Sequence, residues 1–242
     1  MAEKSKGFVI VASRAHNFYL YAVNLAESIL DHYPEAKITL FCEEWMFHES
    51  DRDLFDQVIF CGGHYRQKLK GIADSPYDQT MYVDADMCCE HEDIATVFDQ
   101  FGDNDIVFTP LLEERSYIYS EWEFDTPHGK DVFKICGGVT LYDKTKPLVQ
   151  EFLDDWWELT LKQMDGTWWP DGYADSLKSW DQFGLYWLTE HEPKYKDLKL
   201  GFFEDDLRWN WFQAWNPVVT KCEKPVILRH FSSGLKKDEP IV

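Results

Sequence analysis

The sequence predicts an α/β fold in which one mostly parallel central sheet is flanked by helices. The apolar, β-branched run at residues 8–12 has the pattern of a strand covered on both faces. Segments with helical apolar spacing alternate with further strand-like runs over the first two thirds of the chain. The 242 residues suffice for one such unit. We therefore expect a single domain over 1–242, with about 236–242 as a flexible tail.

The predicted elements follow one another with short connections. Helical spacing of apolar residues starts near Tyr21 and ends at Pro34. Glycines at 137 and 138 interrupt a later strand, which is typical of a bulge or of a close backbone approach to a ligand. Residues 113–130 are polar and aromatic without a period, as in a long functional loop or a small excursion from the fold. The other predicted strands are 37–42, 57–61, a run ending at Asp84, 105–109, 135–142 and 226–231, and the other helical segments are 65–73, 93–98, 148–159 and 176–190.

The charge balance narrows the classes of partner. With 24 basic and 44 acidic residues the formal net charge is −20, which disfavours broad contact with nucleic acid or with an anionic bilayer. The six cysteines show no metal-binding spacing, so we expect buried, reduced thiols. The apolar run near the N-terminus is too short for a signal peptide or a membrane span, and we expect a cytoplasmic protein.

Two carboxylates stand at the end of a predicted strand. Asp84 and Asp86 follow the apolar run 81–83, and strand geometry places side chains at i and i+2 on one face. Such a pair can hold a hard divalent cation whose remaining positions are filled by phosphate oxygens. In open α/β sheets, ligands bind beyond the carboxyl ends of the strands. The pair therefore predicts a Mg²⁺ or Mn²⁺ site at that edge.

This Asp-x-Asp pattern resembles that of the metal-dependent GT-A glycosyltransferases, nearest to the glycogenin and lipopolysaccharide galactosyltransferase type. The resemblance runs over most of the chain and is weak outside four motifs. In the first, Ala12, Ser13 and Tyr19 match the positions that cradle the nucleotide base and ribose. The second is the metal pair itself, and upstream of it Lys68 matches a basic residue that reaches the sugar diphosphate.

The third motif lies beside the donor sugar. Gly137 and Gly138 match the small residues of the family, but Cys136 stands where the family usually has Asn, which puts one hydrogen bond to the sugar in doubt. Further on, Asp181 and Gln182 match an Asp-Gln pair at the start of a helix. The resemblance implies that Asp181 binds sugar hydroxyls and that Gln182 lies near the anomeric carbon.

The fourth motif is C-terminal. The resemblance implies that His230 is the third metal ligand, that Gly234 belongs to the same loop, and that Lys236 donates to the diphosphate. Gly234 stands one place later than in the family, and the family's Pro-Trp ending is absent. These departures put the geometry of the loop in doubt more than its chemistry.

The resemblance implies a Mn²⁺- or Mg²⁺-dependent transferase that moves a sugar from a UDP-sugar to an acceptor hydroxyl, with retention of configuration. The expected acceptor is a glycan or a small molecule. Two alternatives stay open: a catalytically degenerate nucleotide-sugar-binding module, and a glycosyltransferase acting on modified DNA bases. A sugar nucleotidyltransferase is disfavoured, because residues 13–16 lack the glycines that its phosphate loop needs.

Overall fold

Strand β1 (Lys6–Ala12) lies inside a seven-stranded sheet of order β3-β2-β1-β4-β7-β6-β8. This computed structural model describes residues 4–110, 128–212, 222 and 224–231. Strand β7 runs antiparallel to both its neighbours, and the other neighbouring pairs are parallel, so the predicted mostly parallel sheet is confirmed. The remaining strands of this sheet are β2 (Ile38–Cys42), β3 (Gln57–Phe60), β4 (Gln79–Val83), β6 (Ile106–Pro110), β7 (Ile135–Asp143) and β8 (Leu200–Phe202).

Helices cover both faces of this sheet, as the double-sided apolar pattern predicts. Successive side chains of β1 alternate between two cores. Phe8 and Ile10 join the core under helix α1, whereas Val9 and Val11 join the core under α2 and α4. The helices are α1 (His16–His32), α2 (Gln67–Ala73), α3 (Gly129–Val132), α4 (Pro147–Asp165), α5 (Asp181–Glu190) and α6 (Asp206–Trp209).

A second sheet of three short strands joins two distant parts of the chain. Strand β10 (Leu228–His230) pairs antiparallel with β5 (Met87–Cys89) and parallel with β9 (Trp211–Phe212). The register sets His230 opposite Met87, and the backbone N–H of Phe231 donates to the carbonyl of Asp86 at 2.9 Å. This pairing brings the C-terminal region to the end of β4.

Some predicted elements differ from the structure. The helix predicted at 176–190 is a 3-10 turn, Asp175–Ser179, followed by α5, because Trp180 has an extended backbone that interrupts the helical path. The helical turn predicted at 93–98 is a 3-10 helix, Glu92–Phe101, and the strand predicted at 226–231 is limited to β10. Most of the predicted loop 113–130 and the predicted tail 236–242 lie outside the described residues.

The expectation of buried, reduced cysteines is confirmed in part, since Cys61, Cys88 and Cys222 are only half-buried. All six cysteines are free thiols, and Cys42, Cys89 and Cys136 are buried. Among the described helices, none combines the length and the apolar character that crossing a bilayer requires.

Candidate active site

Asp84 and Asp86 lie directly beyond the carboxyl end of β4. The backbone N–H of Asp84 donates to the carbonyl of Gly138 on β7 at 2.8 Å. Its carboxylate accepts a hydrogen bond from the hydroxyl of Tyr82 at 2.6 Å. Burial and the neighbouring carboxylate of Asp84 raise the pKa of Tyr82 well above its ordinary value, so this hydroxyl remains a donor. Asp84 is therefore fixed through both its backbone and its side chain.

The predicted third ligand joins this pair. One potential ligand atom from each of Asp84, Asp86 and His230 lies within 4.8 Å of the other two. Nε2 of His230 is 3.3 Å from Oδ1 of Asp86, and His230 is only 6% exposed. Ligand atoms bonded to one small cation at about 2.1 Å lie roughly 3 to 4 Å apart. The Asp86–His230 distance is in this range, and the two carboxylates and one imidazole, within 4.8 Å of one another, could hold a single divalent cation.

Burial and the imidazole act in opposite directions on Asp86. Burial alone would raise the pKa of its carboxyl group, but His230 outweighs that effect and lowers the pKa. Asp86 is thus an ionised carboxylate at neutral pH, which is the form that binds a cation.

Asn210 contacts the outer side of His230, and sequence analysis missed it. Its Oδ1 lies 3.0 Å from Nδ1 of His230. Its Nδ2 donates to Oγ1 of Thr109 at 3.0 Å and to Sγ of Cys136 at 3.3 Å. A single asparagine among aromatic residues shows no pattern, so no local signal could have identified it.

Two cations lie on the opposite side of Asp84 from His230 and share one buried carboxylate. Asp181, at the first position of α5, is 1% exposed. Nζ of Lys68 is 3.0 Å from its Oδ2 and 3.6 Å from Oδ1 of Asp84, and Nη1 of Arg66 is 2.8 Å from its Oδ1. The result is an alternating chain of charges that links Asp84, Lys68, Asp181 and Arg66.

These ion pairs set the protonation states. Burial opposes the charge of Lys68, but Asp181 and Asp84 outweigh it, so the pKa of Lys68 is raised. Burial alone would raise the pKa of Asp181, but Lys68 and Arg66 lower it. Both groups are charged at neutral pH, and Asp181 is a weak base.

Helix α4 holds the start of α5 in place. Nε1 of Trp156 donates to the carbonyl of Asp181 at 2.9 Å. The amide of Gln163 donates to the carbonyl of Trp180 at 2.6 Å and also to those of Leu177 and Lys178. Gln182, the second predicted catalytic residue, is 7% exposed. The Asp-Gln pair is therefore on a well-supported helix start.

The two glycines of β7 allow the backbone to approach these side chains. A Cβ atom on Gly138 would lie 2.6 Å from Oδ2 of Asp84, which is closer than atoms pack. A Cβ atom on Gly137 would lie 3.1 Å from the ring of Trp156 and 3.7 Å from Oδ2 of Asp181. Gly138 therefore borders the metal cluster, and Gly137 borders Asp181.

An open cleft of about 210 Å³ extends from the carboxylate pair towards α1. Ser13 lines it as predicted, whereas Ala12 is fully buried. Apart from the two carboxylates, most of its lining residues are basic or aromatic, although the whole chain is acidic. These residues are Arg14, Phe18, Tyr65, Arg66, Lys68 and Tyr82.

The structure does not bring Tyr19 to the cleft. Its ring is fully buried in the core, and its hydroxyl donates to Asp51 at 2.6 Å. Phe18 is 37% exposed and lines the cleft instead. Consecutive residues of an α-helix point about 100° apart, so only one of the two rings can face the cleft. Gly234 and Lys236 lie outside the described residues.

Comparisons with known proteins define the fold. No protein-family model matches the sequence, and the search of curated proteins returned no match. Solved structures are similar over nearly the whole chain. The galactosyltransferase LgtC, in a complex with donor and acceptor sugar analogs, aligns with a TM-score of 0.56 at 13% identity, over 95% of this chain and 88% of LgtC.

Two further structures give the same result. The glycosyltransferase GlyE of Streptococcus pneumoniae aligns with a TM-score of 0.60 at 17% identity, over 99% of this chain and 56% of GlyE. Mouse xyloside xylosyltransferase 1 aligns with a TM-score of 0.55 at 15% identity, over 94% of this chain and 98% of that protein. The chain therefore has the GT-A glycosyltransferase fold.

Proposed function

We propose that this protein is a metal-dependent glycosyltransferase that moves a sugar from a nucleoside diphosphate sugar, a UDP-sugar, to an acceptor hydroxyl. One observation carries the proposal. Asp84, Asp86 and His230 converge within 4.8 Å beside a basic cleft, at the strand ends where this fold class binds ligands. The donor set fits the divalent cation that the fold implies, Mn²⁺ or Mg²⁺.

A bound divalent cation would neutralise the negative charge that develops on the departing diphosphate. Asp84, Asp86 and His230 would hold this cation. Lys68 lines the same cleft, where its charged ammonium group can bind a phosphate oxygen. We assign the same role to Lys236 on sequence grounds. Stabilising the leaving group in this way requires no proton transfer.

The donor sugar would lie beside Gly137 and Gly138, which allow the backbone of β7 to approach Asp84 and Asp181 closely. Asp181 is ionised and paired with two cations, so its oxygens suit hydrogen bonds from sugar hydroxyls. The low pKa of Asp181 makes it a poor general base for an acceptor hydroxyl. This supports a retaining reaction, in which Gln182 steadies the oxocarbenium-like sugar.

The nucleoside end of the donor would occupy the α1 side of the cleft. Ser13 and the backbone around Ala12 lie at the end of β1, and Phe18 and Tyr65 supply aromatic faces that stack on a base. We assign to Phe18 the role that the sequence pattern gave to Tyr19. The formal charge of −20 supports a glycan or small-molecule acceptor over nucleic acid.

The test is Mn²⁺-dependent turnover. Calorimetry with UDP in the presence and absence of Mn²⁺ measures binding, and a screen of nucleotide sugars for Mn²⁺-dependent hydrolysis identifies the donor. NMR of the anomeric proton in the product decides between retention and inversion. The matched control is Asp74→Ala, which removes an exposed carboxylate whose ion pair among the described residues is with Lys70, and it should leave binding and turnover unchanged.

Three results are informative. Hydrolysis that is lost in Asp86→Ala and kept in Asp74→Ala supports the proposal. Binding of UDP and Mn²⁺ without turnover of any donor would favour the nucleotide-sugar-binding module. An absence of both binding and turnover would contradict both functions.

A further inference from the structure

We propose that Asn210 is a positioning residue that keeps the proton of His230 on Nδ1, so that the lone pair of Nε2 faces the cation. The inference deepens the proposed function, because it concerns the same metal site. It assigns a role to a residue that touches neither cation nor donor and acts only through His230.

The geometry places the two imidazole nitrogens in different surroundings. Nδ1 of His230 is 3.0 Å from Oδ1 of Asn210, and Nε2 is 3.3 Å from Oδ1 of Asp86. A neutral imidazole has one N–H donor and one lone-pair acceptor. Since His230 is buried, an N–H on Nδ1 needs an acceptor, and Oδ1 of Asn210 is positioned to accept it.

The amide of Asn210 is oriented by contacts at its other end. Its Nδ2 donates to Oγ1 of Thr109 on β6 and to Sγ of Cys136 on β7. These are neighbouring strands of the central sheet. With Nδ2 held by the sheet, Oδ1 faces His230. Asn210 also directly precedes β9, which pairs with β10 beside His230.

The opposite tautomer would prevent metal binding by this side chain. A proton on Nε2 would point towards Asp86 and would occupy the lone pair that a cation needs. Nδ1 would then face a carbonyl oxygen, and two acceptors would oppose each other. Without a cation the carboxylate of Asp86 attracts the same proton to Nε2, so Asn210 decides the tautomer when a cation neutralises that carboxylate. Neighbours that fix the tautomer of a metal-binding histidine commonly contribute about 10- to 100-fold in metal affinity, and we expect Asn210 to contribute a similar factor.

The first experiment reads the tautomer directly in protein saturated with diamagnetic Mg²⁺, because without a cation the carboxylate of Asp86 competes for the proton of His230. Two-bond ¹H–¹⁵N correlation spectra of the full chain, at about pH 8.5 where an ordinary imidazole is neutral, distinguish the two tautomers. The chain has eight histidines, and His230→Gln assigns the signals of His230 by their loss. We expect the Nδ1–H pattern in the wild-type protein. An Nε2–H pattern there would overturn the inference without any Asn210 variant.

The second experiment separates positioning from packing. Asn210→Ala removes the acceptor, and we expect loss of the Nδ1–H pattern and about 10- to 100-fold weaker Mn²⁺ binding by calorimetry. Asn210→Asp keeps an oxygen facing Nδ1, and Thr109 and Cys136 can donate to its other oxygen, so it should retain both properties. Thr109→Val removes one of the two contacts that orient the amide of Asn210 but keeps the acceptor oxygen, so it should weaken Mn²⁺ binding less than Asn210→Ala does.

The inference fails if Asn210→Ala keeps the wild-type tautomer and Mn²⁺ affinity. It also fails if Asn210→Asp and Thr109→Val lose Mn²⁺ binding as severely as Asn210→Ala, since that outcome indicates packing alone. The proposed function fails separately: a wild-type protein with the Nδ1–H pattern and Mn²⁺ binding, but with no donor turnover, would keep this inference and reject the transferase.

Discussion

Gly138→Ala tests how closely the backbone of β7 confines the metal cluster. The new methyl carbon would lie 2.6 Å from Oδ2 of Asp84 and 3.4 Å from Cε1 of His230. An unstrained contact between a carbon and an oxygen is about 3.4 Å, so one of the groups must move by roughly 0.8 Å. Asp84 cannot turn freely, because Tyr82 holds its other oxygen at 2.6 Å. Metal ligation tolerates only about 0.2 Å, so the methyl group should break it.

We expect overpacking to cost about 1 to 3 kcal/mol of stability and Mn²⁺-dependent donor hydrolysis to fall about 100-fold. Calorimetry with Mn²⁺ and hydrolysis assays measure the functional loss, and urea denaturation measures stability. The matched control is Gly137→Ala, whose methyl group would press on Trp156 and lie 3.7 Å from Asp181. It should keep Mn²⁺ binding. Wild-type Mn²⁺ affinity in Gly138→Ala, or an equal loss in both variants, would refute the reasoning.

Three further predictions concern single side chains. Asp86→Ala should lower Mn²⁺-dependent hydrolysis to background while circular dichroism stays unchanged; residual turnover would contradict the metal assignment. Lys68→Met leaves the buried carboxylate of Asp181 with one cation fewer and should cost about 3 kcal/mol in urea denaturation, together with weaker UDP binding; unchanged stability would show that the pair contributes little. Burial alone would raise the pKa of Asp143, but hydrogen bonds from Lys4 and other donors lower it. The ionised Asp143 therefore stabilises the folded protein fully above the unfolded-state pKa of about 4, and this stabilisation is lost as the pH falls through the lower folded-state pKa. Asp143→Asn should therefore cost about 1 to 2 kcal/mol at pH 7, and the difference from wild type should shrink below about pH 4; a constant difference would contradict the linkage.

The sequence was sufficient wherever the signal was local. The apolar run of β1 and the carboxylates after β4 are patterns within a few residues, and both were predicted correctly. His230 is far from Asp84 and Asp86 in the chain, but the order of motifs predicted that it would join them, and it does. The strand pairing that unites them was missed, because three residues of β5 are too few to show an alternating pattern.

The remaining errors have specific physical causes. Phe18 and Tyr19 are adjacent aromatic residues, and only the rotational phase of α1 decides which of them faces the cleft. The break before α5 was missed because Leu177, Trp180 and Gly184 continue a helical spacing across it. Asn210 acquires its contacts from β6, β7 and β10, which no sequence window contains together.

The main-chain pairing of β5 with β10 has a consequence for how readily the proposed metal site would bind and release a cation. Bringing Asp86 and His230 together costs conformational entropy. Backbone hydrogen bonds between β5 and β10 offset this cost when the protein folds, so it does not recur each time an ion binds. A chelator should consequently strip the ion from an intact scaffold, and activity should return on remixing as fast as the ion diffuses in. Under the proposed function, the cation would therefore exchange between turnovers and would not be needed to hold the fold together.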